Sequence, residues 1–437
     1  MMRRLLHALA LGIGWGWMSV TQAAPLDSIY DARDLDPLQS RYRRGWLDNY
    51  QNVFWPRLKP DEQARLQPVR FHMPPIAAGL EPLGFFTAGD AIFASIASIR
   101  FLEDVALAHT WLDMNGYDTR TVADYLLMLR SWKETKGRPP GPLAALCVPE
   151  FGKAGERVEE RARRVFDTVV VFAMLHELGH VFHRHHGNRS VAPERSRANE
   201  EAADRFALDL FERIREVPLG LPLLFFTMAH LFENRADFES EEAYQRALAA
   251  RTHPLSPARL QSLARHLTAG TASYAGSFRP GARATALSVA LEISQLALLM
   301  ADPDVQRLSA KIGQTVEPGD LAPRPRGRLL AAPCGLQFGH DKPFHGSFRG
   351  QITDGKTPLD VDVVLTRNDD KVVGSYSFGA GYGRLEGTVE GSSLRYRWIL
   401  PPDSGQGMIM LQDGTYRGAW GHGRWSASGS ILLEAAR

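Results

Sequence analysis

The spacing of apolar positions changes character once along the chain. From Leu26 to about Gly313 they recur every three or four residues. This spacing predicts helices around Arg100–Met114, Thr121–Trp132, Glu156–His186, Arg197–Arg215, Leu221–Asn234, Glu241–Arg251, Ser256–Leu267 and Ala282–Met300. Only Val69–Met73 and Ala91–Ile99 read as strands, the second alternating apolar with small residues just before a helix. The interval Gly313–Pro333 carries Pro318, Pro323, Pro325 and Pro333 among glycines and charges, which is linker composition. Beyond it the period becomes two, in short runs from Phe344–Thr353 to Arg424–Leu433 separated by turn signals such as Asn368-Asp369-Asp370 and Asp413-Gly414. The pattern predicts an α+β chain: a mostly helical domain with a small sheet over 24–312, a linker over 313–334, and an all-β antiparallel meander over 335–437. About eight hairpin-linked strands of this kind close into a small barrel or a sandwich.

At the level of pattern alone the β segment resembles lipocalin-like and avidin-like barrels. With 44% hydrophobic residues the chain can build real cores, and a net charge of +2 offers no polybasic field for nucleic acid or an anionic membrane. The two cysteines, Cys147 and Cys334, exclude a disulfide-dense scaffold and a four-thiolate zinc site. They are open to pairing or to being two buried thiols.

The N-terminus runs Met1-Met2-Arg3-Arg4, then apolar from Leu5 to Val20, then Thr21-Gln22-Ala23-Ala24, the order of a secretory signal peptide. Cleavage after Ala23 puts small residues at both required positions, so 1–23 is read as signal. The run Leu221–Phe232 is short for a membrane span and Ala286–Met300 is interrupted by Glu292, so both read as buried helices. An exported protein, periplasmic or secreted, with no stable membrane insertion after cleavage is the expectation.

Five of the 14 histidines fall between His176 and His186, and His176-Glu177-Leu178-Gly179-His180 forms the zinc-peptidase pattern H-E-x-x-H. Imidazoles at i and i+4 leave one face of a helix close enough to grip one tetrahedral ion. Val165, Val169, Phe172 and Ala173 lead into them, so the helix buries the face that carries the ligands. Glu177 lies about 100° around the helix from His176, where it reaches a water polarised by the metal rather than the metal itself. It is placed as general base.

Two candidates exist for a third ligand. His186 stands where H-E-x-x-H-x-x-G-x-x-H would put it, but His183 occupies the position where that pattern needs a turning glycine. The favoured candidate is Glu200, at the start of a second helix Asn199-Glu200-Glu201-Ala202-Ala203-Asp204, giving a two-His, one-Glu zinc set. Ala202 and Ala203 let that helix come close, and Asp204 could accept a proton from a ligand histidine and fix its tautomer. His183, His185 and His186 read as a solvated helix end with weak metal affinity.

The H-E-L-G-H helix, the following E-x-x-A-D helix and the segment Thr252-His253-Pro254-Leu255-Ser256-Pro257-Ala258-Arg259-Leu260 together resemble the gluzincin metallopeptidases. The similarity is to the group holding the CAAX prenyl proteases and their soluble periplasmic relatives. Glu200 follows His180 by only twenty positions, and the barrel-like tail is not typical, which points to a neighbouring branch. The resemblance implies a zinc metalloendopeptidase with Zn2+ held by His176, His180 and Glu200, a Glu177 base and His253 as oxyanion donor. It further implies a protein or peptide substrate along an exposed strand edge, for which Ala91–Ile99 is the candidate. An envelope protein partner would use the β domain, and no nucleic acid is expected. Two other readings stay open: a catalytically weak zincin scaffold binding partners through its β domain, and a zinc amidohydrolase acting on a non-peptide substrate.

Overall fold

The structure, a computed structural model, describes residues 26–76, 82–185, 191–251, 253–276, 281–321, 323, 342–354, 357–378, 381–423 and 428–435. The segment 1–23, read above as a signal peptide, His186 and Cys334 lie outside the described residues. Cys147 is disulfide-bonded, and Cys334 is the only other cysteine in the sequence.

The helical region holds α1 (Ala32–Asn49), α2 (Pro60–Leu66), α3 (Ile96–Met114), α4 (Arg120–Arg130), α5 (Pro142–Ala145) and α6 (Glu156–His183). It continues with α7 (Pro193–Ile214), α8 (Leu221–Leu231), α9 (Glu241–Ala250), α10 (Pro257–Ala269), α11 (Ala282–Ala301) and α12 (Pro303–Thr315). A three-stranded sheet precedes α3: β1 (Arg70–His72) runs parallel to β3 (Ala91–Ala94), and β2 (Phe85–Ala88) runs antiparallel to β3. The strand expected over Ala91–Ile99 therefore stops at Ala94. Ile96 to Ile99 alternate apolar and small side chains, which suits either period, and Ser95 resolves it by accepting the amide of Ser98 as an N-cap. The spatial order β1-β3-β2 also makes β3 the central strand, so the exposed edges belong to β1 and β2.

α6 runs through the middle of the helical core. Its buried stripe reads Val158, Ala162, Phe166, Val169, Ala173, His176, His180, at steps of three and four, so the two imidazoles continue an apolar seam. By length and composition α6 and α11 could each cross a membrane. α6 is mostly buried within the fold, whereas α11 buries Ala286, Val289, Ala290 and Ile293 but leaves Leu287, Leu291 and Leu298 exposed. The expectation of a buried helix over Ala286–Met300 holds for one face only.

The remaining strands are β4 (Gly346–Thr353), β5 (Leu359–Asn368), β6 (Lys371–Phe378), β7 (Gly381–Glu390), β8 (Ser393–Leu400), β9 (Asp403–Gln412), β10 (Thr415–His422) and β11 (Gly429–Ala435). They form a closed antiparallel barrel, each strand pairing with its sequence neighbours and β11 returning to β4. Phe348, Tyr376, Tyr396, Trp398 and Tyr416 belong to one buried cluster with Val361, Leu394 and Leu433. Gly407 lies under the Tyr396 ring, where a Cβ would come within 2.3 Å of Cζ, so the ring needs glycine on the neighbouring strand.

The barrel rests on α4 and α12. Val373 and Ile399 join the core of the helical region, Arg384 Nη1 lies 3.3 Å from Asp124 Oδ1 with both side chains buried, and Arg397 pairs with Asp304. Arg307 and Lys311 of α12 both reach Glu386 of β7.

Candidate metal centre

The site is assembled where α6 and α7 come into contact. At Gly179 of α6 a Cβ would lie 2.8 Å from Ala203 Cα and 3.0 Å from Ala203 O. Glycine facing alanine thus lets the two backbones touch, and Glu200, one turn before Ala203, reaches the histidine face of α6. Replacing Gly179 by Ala is expected to push α7 away, costing about 1–3 kcal/mol of stability and lowering bound zinc. A denaturant melt with metal analysis of the purified variant would check both.

His176, His180, Glu200 and His253 offer one donor atom each, all within 4.8 Å of one another. His176 Nε2 and His180 Nε2 are 3.1 Å apart, and Glu200 lies 3.4 Å from each, through Oε2 and Oε1 respectively. His253 Nδ1 is 3.4 Å from His176 Nε2 and 3.3 Å from Glu200 Oε2. Donors at about 2.0–2.2 Å around a tetrahedral zinc stand roughly 3.3–3.6 Å apart. These separations and the imidazole–carboxylate set fit zinc, and His253 Nδ1 stands beside two of the other three donors.

The surrounding contacts orient these donors. His176 Nδ1 sits 2.8 Å from Asp204 Oδ1, which turns Nε2 inward. His180 Nδ1 meets His185 Nδ1 at 2.9 Å, and burial with neighbouring imidazoles holds the His185 pKa down to about 4, so that ring stays neutral. His185, expected in a solvated helix end, instead supports a donor. The chain leaves α6 at His183 through left-handed Arg184, and this bend carries His185 back towards His180.

Arg259 of α10 ties the carboxylates together. Its Nη1 is 2.7 Å from Glu200 Oε2, and its Nε and Nη2 donate to Asp204 at 2.7 and 2.8 Å. Burial would raise both acids, but this guanidinium, aided by His253 at Glu200, holds them ionised.

Glu177 is 1% exposed and contributes no donor to the cluster. Its Oε2 accepts a hydrogen bond of 2.6 Å from Thr87 of β2, and its Oε1 lies 3.2 Å from His253 Nε2. Burial alone would raise its pKa, yet His253 beside it brings it down to about 2. His253 is pushed the other way: burial disfavours its charge, but Glu177 and Glu200 flank it and raise its pKa well above the ordinary value. Its Nε2 also reaches Phe85 O at 3.1 Å, so β2 borders the centre.

The structure therefore brings together His176, Glu177, His180, Glu200, Asp204 and His253, and His186 lies outside the described residues. Thr87 carried no local signal in the sequence, being 90 positions from Glu177. Arg259, within the segment Thr252–Leu260, had no role legible in the sequence.

This arrangement is a buried H-E-x-x-H cluster with a downstream glutamate and aspartate, consistent with the active site of a zinc protease. A family model described as Peptidase U49 matches residues 118–278, a span that holds His176, Glu177, His180, Glu200, Asp204, His253 and Arg259. That family is distinct from the CAAX-prenyl-protease-like group which the motifs resemble. No curated protein and no solved structure matches the chain.

Proposed function

We propose that this protein is an exported zinc metalloendopeptidase of gluzincin type, in which His176, His180 and Glu200 hold the ion and Glu177 is the general base. The observation that carries the reading is Glu177: a buried, ionised carboxylate beside four convergent donors yet not one of them. When bound, zinc supplies a Lewis acid that polarises the scissile carbonyl and acidifies the attacking water. Glu177 takes that water's proton and delivers it to the leaving amine, with the Thr87 hydroxyl holding its other oxygen. An extended substrate adds to the outer edge of β2, which pairs only with β3 among the described residues. Export rests on the residue pattern of 1–23, and a partner-binding role of the barrel remains part of the proposal.

Metal content and casein cleavage by the purified protein, with and without chelator, test the reading. Zinc bound without cleavage would favour a binding scaffold, and hydrolysis of simple amides alone would favour an amidohydrolase. Glu200→Ala is expected to lower bound zinc severalfold and His186→Ala to leave it unchanged. The reverse would move the third ligand to His186.

His253 has two chemical options. As oxyanion donor, its replacement by Ala lowers kcat about 10²–10³-fold with zinc retained. As a resting fourth ligand, a reading supported by its Nδ1 lying beside His176 and Glu200, it has to swing aside for catalysis and its removal raises activity. An unchanged rate would mark it as structural.

A further inference from the structure

Two turns further along α7 from Glu200, that helix and α10 bring a second set of donors together. Asp209 and Glu212 of α7 and His266 of α10 each direct one donor atom to a common point, all within 4.8 Å of one another. His266 Nε2 is 3.2 Å from Asp209 Oδ1 and 3.5 Å from Glu212 Oε1. That nitrogen is buried yet makes no well-directed hydrogen bond to either oxygen. Donors that converge without bonding one another leave a place for an ion between them.

Independent features of the next segment mark this as a built site. The hydroxyl of Tyr274, a residue 1% exposed, has no hydrogen-bond partner among the described residues. Burial raises its pKa, and the nearby charges of Glu212 and Asp209 raise it further. A buried orphan hydroxyl is costly unless something completes it, and a hydrated cation would. Gly270 makes room for the Glu212 carboxylate, since a Cβ there would fall 2.0 Å from Oε1, and Ser273 Oγ donates to Oε2 at 3.0 Å. A cleft between α7 and α10, lined by Glu201, Arg205, Ser262 and His266, opens beside it.

We propose that Asp209, Glu212 and His266 bind a second divalent transition cation, zinc or a similar imidazole- and carboxylate-binding ion. One imidazole and two carboxylates neutralise such an ion, and the separations of 3.2 and 3.5 Å match a zinc shell. Its role is structural. It staples α7 to α10, the helices that carry Glu200 with Asp204 and Arg259, and so fixes the spacing of the first centre.

The full-length protein carrying His176→Ala isolates this site from the first. After equilibration with Zn2+ and gel filtration, it is expected to retain one zinc per chain, and the wild type two. Adding Glu212→Gln or His266→Ala should remove that ion, and Zn2+ should raise the melting temperature of the His176→Ala protein but not of the double variants. Glu212→Gln alone, in the otherwise native chain, should lower the count from two to one. A wild-type count of one that Glu212→Gln leaves unchanged would overturn the second site without touching the first. A wild-type count of two that Glu212→Gln and His266→Ala both leave unchanged would overturn it equally.

Discussion

Replacing Glu177 by Gln is expected to lower peptide hydrolysis by about 10²–10⁴-fold, the range that a positioned general base contributes, while bound zinc stays at the wild-type level. Gln keeps the shape of the side chain and can still accept from Thr87, so the loss isolates proton transfer. Zinc is retained because the glutamate is not among the four donors. The amide also removes a negative charge from beside His253, whose raised pKa owes most, against burial, to Glu177. Single-turnover rates together with metal analysis would check the result. A variant keeping more than a tenth of the wild-type rate would remove Glu177 from the mechanism.

The second large effect is on stability. Arg259→Met is expected to destabilise the metal-free protein by about 3–5 kcal/mol, because it leaves buried carboxylates without their counter-charge. Arg259 is 5% exposed and touches both Glu200 and Asp204, which are 1% and 3% exposed. With zinc bound the loss should be smaller, since the ion takes over part of the compensation at Glu200. Urea melts of the metal-free and zinc-loaded forms give both numbers. Equal losses in the two forms would mean that Arg259 acts through packing alone.

What could be read from the sequence follows the range of the interaction. The convergent imidazoles on α6, His176 and His180, were legible because i and i+4 on a helix fix two side chains with no knowledge of the fold. Glu200 was legible one step further out, through the alanines that mark a helix made to lie close to another. The glycine that completes that contact, Gly179, was in view within the motif, but its need for glycine depends on Ala203 arriving opposite. Thr87 and the role of Arg259 were not legible, since each meets its partner through chain reversals that no local periodicity encodes. The central place of β3 failed for the same reason: strand order depends on which way the chain turns after β1, and an edge reads like an interior in four residues. The eight barrel strands were legible because hairpin neighbours pair in sequence, so period and turns suffice.

The closing pair of that barrel has a consequence for how the chain is made. β11 pairs with β4, Ser430 opposite Thr353 and Leu433 opposite Gly350, so the ring cannot shut until β11 has emerged from the ribosome. Until then β4 and β10 each offer an unpaired edge, the kind of surface on which nascent chains associate. The helical region, whose donors all precede Ala269, is free to assemble first and to offer Val373 and Ile399 of the late barrel a finished surface on α4 and α12. A chain cut before Gly429 is therefore expected to lose solubility before it loses the helical fold that brings His176, His180 and Glu200 together.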